Sequence, residues 1–272
     1  MRLRCAVSGP EDGPLVILLH GFPECGASWR LVLKALAHAG CRCVAPDLRG
    51  YGASDKPRGV AAYAVARLVE DVRGLVRAMG AARAHVAGHD WGGVVAWWVA
   101  MTAPDVLDRL VIVNAPHPAA YAAALRTWRQ LRRALYVFFF QLPWIPEWSL
   151  ARGDYAAVRA LFERDGIGDD EARSCVDALR APGARSAAVN YYRASMRGAL
   201  TGTTPPFARV DRPTLVVWGE RDRYLVPELA DPPAEWVSDA RVVRLPDATH
   251  WAPIDAADRV SAEILRHLGR AA

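Results

Sequence analysis

Short apolar runs alternate with helix-spaced segments at both ends of this chain, and the alternation stops between His117 and about Arg212. Strands are predicted at Leu15 to Leu19, Cys41 to Ala45, Arg83 to Ala87, Arg109 to Val113, Thr214 to Trp218 and Arg241 to Leu245. Helices are predicted at Trp29 to Ala39, Ala62 to Met79, Val94 to Ala103 and Ile254 to Leu268. Gly40, Gly80 and Pro104 stand where the first three of these helices must end. Parallel neighbours need a crossover, so such alternation implies an α/β protein with a mostly parallel sheet and helices on both faces. The middle block is rich in Arg, Ala and aromatics, broken by Pro143, Pro146 and Pro182, with no strand pattern. The predicted organisation is a core of residues 1–116 and 213–272, with a helical lid (cap) of residues 117–212 inserted in it.

One turn in that core carries chemistry. Gly88-His89-Asp90-Trp91-Gly92-Gly93 follows a strand and opens a helix. Its small-x-nucleophile-x-small layout suits a sharp strand-to-helix turn that exposes the central side chain. That side chain is a carboxylate, which attacks an electrophilic sp3 carbon and leaves an alkyl ester on the protein. Two partners follow in the chain order this kind of sheet imposes. Asp222 comes after one strand and His250 after the last. His250 has no use as a base toward an ionised carboxylate. Its expected work is to take a proton from the water that hydrolyses the ester, with Asp222 orienting the ring. Glu220, two residues from Asp222, is the rival acid. The loop His20-Gly21-Phe22-Pro23-Glu24 follows the first clear strand, and Pro23 fixes its turn. The backbone N–H groups of Phe22 and Trp91 are expected to form an oxyanion hole. His20, His89 and His117 read as structural histidines.

Composition closes off other classes. Hydrophobic residues make up 52% of the 272, ample for a core and against wholesale disorder. The net charge is +5, but the arginines are interspersed with acids, so no nucleic-acid partner is expected. The five cysteines, Cys5, Cys25, Cys41, Cys43 and Cys175, are odd in number and scattered, which fits a reduced, cytoplasmic compartment. Residues 1–9 show no apolar signal-peptide core, and Leu15 to Leu19 is far too short to span a membrane. No metal-ligand spacing and no phosphate-binding glycine loop is present, so no cofactor is implied.

Over essentially its whole length the chain resembles epoxide hydrolases of the α/β-hydrolase superfamily. His20-Gly-Phe-Pro-Glu24 is similar to that family's oxyanion loop and Gly88-His-Asp-Trp-Gly-Gly93 to its elbow. Tyr136-Val-Phe-Phe-Phe-Gln141 followed by Pro143, and Asn190-Tyr-Tyr-Arg193, resemble the two stretches that carry its lid tyrosines. The resemblance implies an α/β-hydrolase fold, an apolar epoxide substrate, and Tyr136 and Tyr192 as the phenols that hold the epoxide oxygen. Tyr191 is the rival to Tyr192. Phe138, Phe139, Phe140, Trp144 and Trp148 suggest an apolar tunnel under the lid, with insertion of the lid at a membrane surface a weaker reading. The opening strand has only Arg2 to Ser8, and Trp251-Ala-Pro-Ile-Asp255 departs from the family pattern in a way that bears on access of water. Haloalkane and haloacid dehalogenases use the same Asp90, His250 and Asp222 logic. However, Phe22 offers no halide-binding side chain in place of the usual asparagine, and Trp91 stands where fluoroacetate-type enzymes carry arginine. A non-catalytic ligand-binding module on the same scaffold needs neither His250 nor Asp222. The oligomeric state is not legible.

Overall fold

The structure, a computed structural model, describes residues 1–270. Seven strands form one sheet: β1 (Cys5–Ser8), β2 (Leu15–Leu19), β3 (Arg42–Pro46), β4 (Ala84–His89), β5 (Leu107–Val113), β6 (Thr214–Gly219) and β7 (Ala240–Leu245). Their order is β1-β3-β2-β4-β5-β6-β7, parallel throughout except for the short edge strand β1. The interior strands β2 and β6 are buried along their whole length, which is why they read as continuous apolar runs. Successive residues of β2 serve opposite faces. Leu15, Ile17 and Leu19 join one core cluster, Val16 and Leu18 the other.

On the sheet's two faces lie α1 (Arg30–His38), α2 (Val65–Ala78) and α3 (Trp91–Thr102), with α10 (Ala252–Asp255) and α11 (Ala257–His267) added at the carboxyl end. The single closing helix expected over Ile254 to Leu268 is therefore two. Ala256, at φ −130° and ψ 33°, breaks it. Between β5 and β6 run six helices: α4 (Pro118–Ala124), α5 (Trp128–Arg133), α6 (Leu135–Phe139), α7 (Ile145–Arg164), α8 (Asp169–Arg180) and α9 (Ala184–Thr201). They form the inserted helical lid, and α7 is itself interrupted by non-helical backbone at Arg152–Tyr155. No helix among the described residues is long and apolar enough to cross a membrane.

The strand order fixes where ligands meet the fold. From β2 the chain moves outward to β3, which lies between β2 and the edge strand β1, and then returns to place β4 on the other side of β2. The loops after β2 and β4 thus leave the sheet in opposite directions and open a crevice at their carboxyl ends. The loop after β2 carries Phe22 and the turn after β4 carries Asp90.

Candidate active site

Asp90 sits at the elbow with φ 48° and ψ −119°, a strained conformation for a residue with a side chain. The strain is imposed by tight packing around the turn. A Cβ on Gly92 would stand 2.1 Å from the Leu19 carbonyl oxygen, so only glycine lets α3 pack against β2 there. The Asp90 carboxylate reaches back toward the loop after β2, where the Phe22 N–H donates to its Oδ1 at 2.7 Å and the Trp91 N–H also points at it. Burial pushes the Asp90 pKa up, and His250, His89 and the two N–H donors pull against that. The other oxygen, Oδ2, stands 3.8 Å from Nε2 of His250, too far for a direct hydrogen bond.

His250 is nearly fully buried, and its Nδ1 lies 2.6 Å from Oδ2 of Asp222. Asp222 is held from every side. Its Oδ1 accepts from the N–H groups of Tyr224 (2.7 Å) and Leu225 (2.9 Å), and its Oδ2 also accepts from the side chain of Asn114 (2.8 Å). Burial pushes the Asp222 pKa up, but His250 and these donors win and hold it below the usual carboxylate range. Burial disfavours charge on His250 too. Asp222 and then Asp90 outweigh it and lift the imidazole to about 9. Glu220 is directed elsewhere, toward Arg244 at 3.5 Å.

A cavity of about 480 Å³ lies between the strand ends and the helices, lined by Asp90, His250, Phe22, Tyr136 and Tyr192 among others. The rings of Tyr136 and Tyr192 meet edge to face at 5.8 Å, and Phe22 packs against Tyr192 at 5.5 Å. Burial raises both phenols well above 10, as does the negative charge of Asp90, so both are protonated at neutral pH. Tyr191 points away from the cavity. It is fully buried and its hydroxyl donates to the Arg49 carbonyl at 2.8 Å.

A profile of the alpha/beta hydrolase fold matches residues 14–257. The Bacillus subtilis AB hydrolase superfamily protein YfhM is 38% identical over 98% of this chain and 94% of its own length. Human epoxide hydrolase 4 is 34% identical, over 96% of this chain and 74% of its own length. Among solved structures, an epoxide hydrolase from Bacillus megaterium in complex with an inhibitor superposes with a TM-score of 0.89 at 26% identity, covering 98% and 96% of the two chains. The chain belongs to the α/β-hydrolase fold family, among its epoxide hydrolases.

In this α/β-hydrolase three polar residues support the site that sequence reasoning did not assign to it. Glu24 and His89 form a buried pair behind the elbow. Nδ1 of His89 is 2.7 Å from Oε2 of Glu24, and its Nε2 is 2.8 Å from the His250 carbonyl. Both ring nitrogens thus face oxygen atoms of the protein. Burial works against the Glu24 charge. His89 and the Gly21 N–H, which donates to Oε2 at 2.8 Å, override it and depress Glu24 to about 2. The pair therefore ties the Phe22 loop to the loop that carries His250. His89 is structural as expected, but it is structural for the site. Asn114 is the third. At φ 42° after β5, it donates to Asp222 and Gly219 and accepts from the Gly219 N–H, joining β5 to β6. Its one visible signal is a polar residue closing an apolar strand at the carboxyl edge of the sheet.

The other histidines behave as read. His20 accepts from the Leu48 N–H through Nε2, and His117 accepts from the Ala119 N–H at the start of α4, where burial lowers it to about 4. The departure after His250 has a local reason. Trp251 is buried, its ring lies 4.6 Å from that of Phe162, and its Nε1–H donates to Asp165 at 3.1 Å. This pins the loop carrying His250 to the end of α7.

Proposed function

We propose that the protein hydrolyses an apolar epoxide to a vicinal diol through an alkyl ester on Asp90. The observation that carries this reading is that two protonated phenols, Tyr136 and Tyr192, line the same cavity as Asp90 and His250. Oδ2 of Asp90 attacks one ring carbon, the C–O bond breaks, and a phenol gives its proton to the departing oxygen. The inserted helices act as a cap that carries those phenols over the nucleophile.

The charge balance sets the order of steps. At rest His250 is protonated, held so by Asp222 and Asp90. Ester formation removes the Asp90 charge and lowers the affinity of His250 for its proton, which goes back to the phenolate. Neutral His250 then takes a proton from water as that water attacks the ester carbon. The N–H groups of Phe22 and Trp91 hold the oxyanion until the tetrahedral intermediate collapses, the C–O bond to the substrate breaks, and the proton of the added hydroxyl passes to the departing alkoxide to give the diol. Asp90 and the imidazolium are thereby restored.

The test uses His250→Gln. With a reactive epoxide, the peptide containing Asp90 should gain and keep the mass of the substrate. A single turnover of the native enzyme in heavy-oxygen water should label Asp90 and leave the first diol unlabelled. Label appearing directly in the diol with Asp90 untouched rejects the covalent step. Halide from haloalkanes without diol from epoxides would transfer the site to dehalogenation.

A further inference from the structure

The outer surface of the inserted helices is unlike the rest of the molecule. Of the thirteen large apolar side chains exposed among the described residues, eight fall within residues 128–148. Three are tryptophans, with Trp144 82% exposed, Trp128 72% and Trp148 62%. A concentration of this kind marks a surface that meets something apolar. The same segment is strongly basic. From residue 118 to 153 the one carboxylate is Glu147, which Arg193 holds at 2.6 Å. Against it stand Arg126, Arg129, Arg132, Arg133 and Arg152. Arg129 pairs with Glu228 and Arg133 donates to the carbonyls of Asp222 and Leu225. That leaves Arg126, Arg132 and Arg152 without a carboxylate partner among the described residues, and Arg152 lies over the Trp148 ring at 5.2 Å.

The patch is continuous with the cavity. Arg132, Phe139 and Ser149 line the space that reaches Asp90, and Phe139 is itself exposed at the surface. We infer that this face, residues 126–152, docks on an anionic phospholipid bilayer with the mouth of the cavity turned toward the apolar phase. Tryptophan suits the boundary between headgroups and acyl chains, and arginine suits anionic headgroups. A second copy of this chain fits less well, since a two-fold contact would set the unpaired arginines of one face against those of the other. The consequence for the proposed reaction is that an apolar epoxide reaches Asp90 from the membrane rather than from water. Docking itself does not depend on that reaction and is measured without it.

The experiment is cosedimentation of the full chain with vesicles at low salt. Binding is expected to vesicles containing phosphatidylglycerol and to be weak with phosphatidylcholine alone. Raising the salt to about 0.5 M should release the protein, because screening is then strong within a few ångströms. Arg126→Gln and Arg152→Gln should each weaken binding about fivefold, the effect of removing roughly 1 kcal/mol per basic residue near an anionic surface. The double variant Trp144→Ser/Trp148→Ser should weaken it by about a factor of ten or more, since it removes two large apolar side chains from the contact. It should keep turnover of a dissolved substrate, because Trp144 and Trp148, expected from the sequence to line a tunnel, stand on the outer surface and do not line the cavity. Failure to sediment with anionic vesicles at low salt overturns the inference, as does binding unmoved by all these changes. Sedimentation equilibrium showing a stable dimer that the tryptophan double variant dissolves would also overturn it, and would give the face to a second copy.

Discussion

On the sheet side of the cavity each oxygen of Asp222 accepts two hydrogen bonds, and Nδ1 of His250 lies 2.6 Å from the carboxylate. On the helical side the hydroxyl of Tyr136 has no such partner among the described residues, and that of Tyr192 has only the Trp91 side chain beside it. The first wall is a closed polar network resting on the ends of β5, β6 and β7. The second presents to whatever enters one hydroxyl with no such partner and one beside Trp91 alone. Buried polar groups that are fully paired contribute to the fold and to the chemistry together, whereas groups left free in a cavity contribute to the chemistry alone. The two walls should therefore answer mutation differently.

The largest effect is expected at Asp90. Asp90→Asn should lower diol formation by on the order of 10⁴-fold or more, the scale of losing a nucleophile that acts as one unit with its base. Because burial pushes the carboxylate pKa up, the fold favours a neutral group there, and thermal stability should not fall. A melting temperature well below that of the native protein would show that Asp90 belongs to the closed network after all.

Asp222→Asn is expected to damage both properties. Activity should drop by about 10³- to 10⁴-fold, as when the orienting acid of a catalytic triad is neutralised. Stability in urea should fall by about 3 kcal/mol, because the change breaks a buried pair and leaves the His250 charge uncompensated. Glu220→Gln should do neither, which would separate the two carboxylates that the sequence leaves in competition.

Tyr136→Phe and Tyr192→Phe test the other wall. Each should cost about 10²-fold in kcat/KM by removing one donor to the developing oxyanion, with unfolding in urea unchanged. Tyr191→Phe should behave the opposite way. It loses the hydrogen bond to the Arg49 carbonyl and about 1 kcal/mol of stability, while turnover stays near that of the native protein. If Tyr136→Phe and Tyr191→Phe give the same pattern, the contrast between the walls is wrong.

The two walls also differ in how far they were legible beforehand. Tyr192 was favoured over Tyr191 only through the resemblance, since neighbouring tyrosines on one helix carry equal signals. Their separation needed the packing of α9 against the loop at Arg49. The elbow was readable because its glycines, its central carboxylate and its place between strand and helix are all local. The order Asp90, Asp222, His250 was readable because the sheet imposes it. Asn114, Glu24 and His89 were not, because their partners lie 65 to 161 residues away along the chain and no periodicity marks them. The break at Ala256 was hidden for a different reason. The apolar spacing of Ile254 to Leu268 continues across it, so only the backbone turn ending α10 reveals two helices.

The smallest expected effect is a pH signature carried by the closed wall. The folded pKa of His250, about 9, exceeds its ordinary value of 6.5, so its pairing stabilises the fold fully below pH 6.5 and less as pH rises through 9. Asp222 is shifted the other way, and its contribution is lost only as pH falls below the ordinary carboxylate range. The phenols of Tyr136 and Tyr192 are raised well above 10, so any loss they bring begins near pH 10, where the unfolded phenols ionise. Between pH 6.5 and 9 the decline in melting temperature thus belongs to His250 among the groups of the two walls. In His250→Gln that decline should flatten over this interval, and in Tyr136→Phe it should not. A decline of equal steepness in His250→Gln would mean that the imidazole is not held charged by its two carboxylates, and with it would go the argument that ester formation on Asp90 is what frees His250 to act as a base.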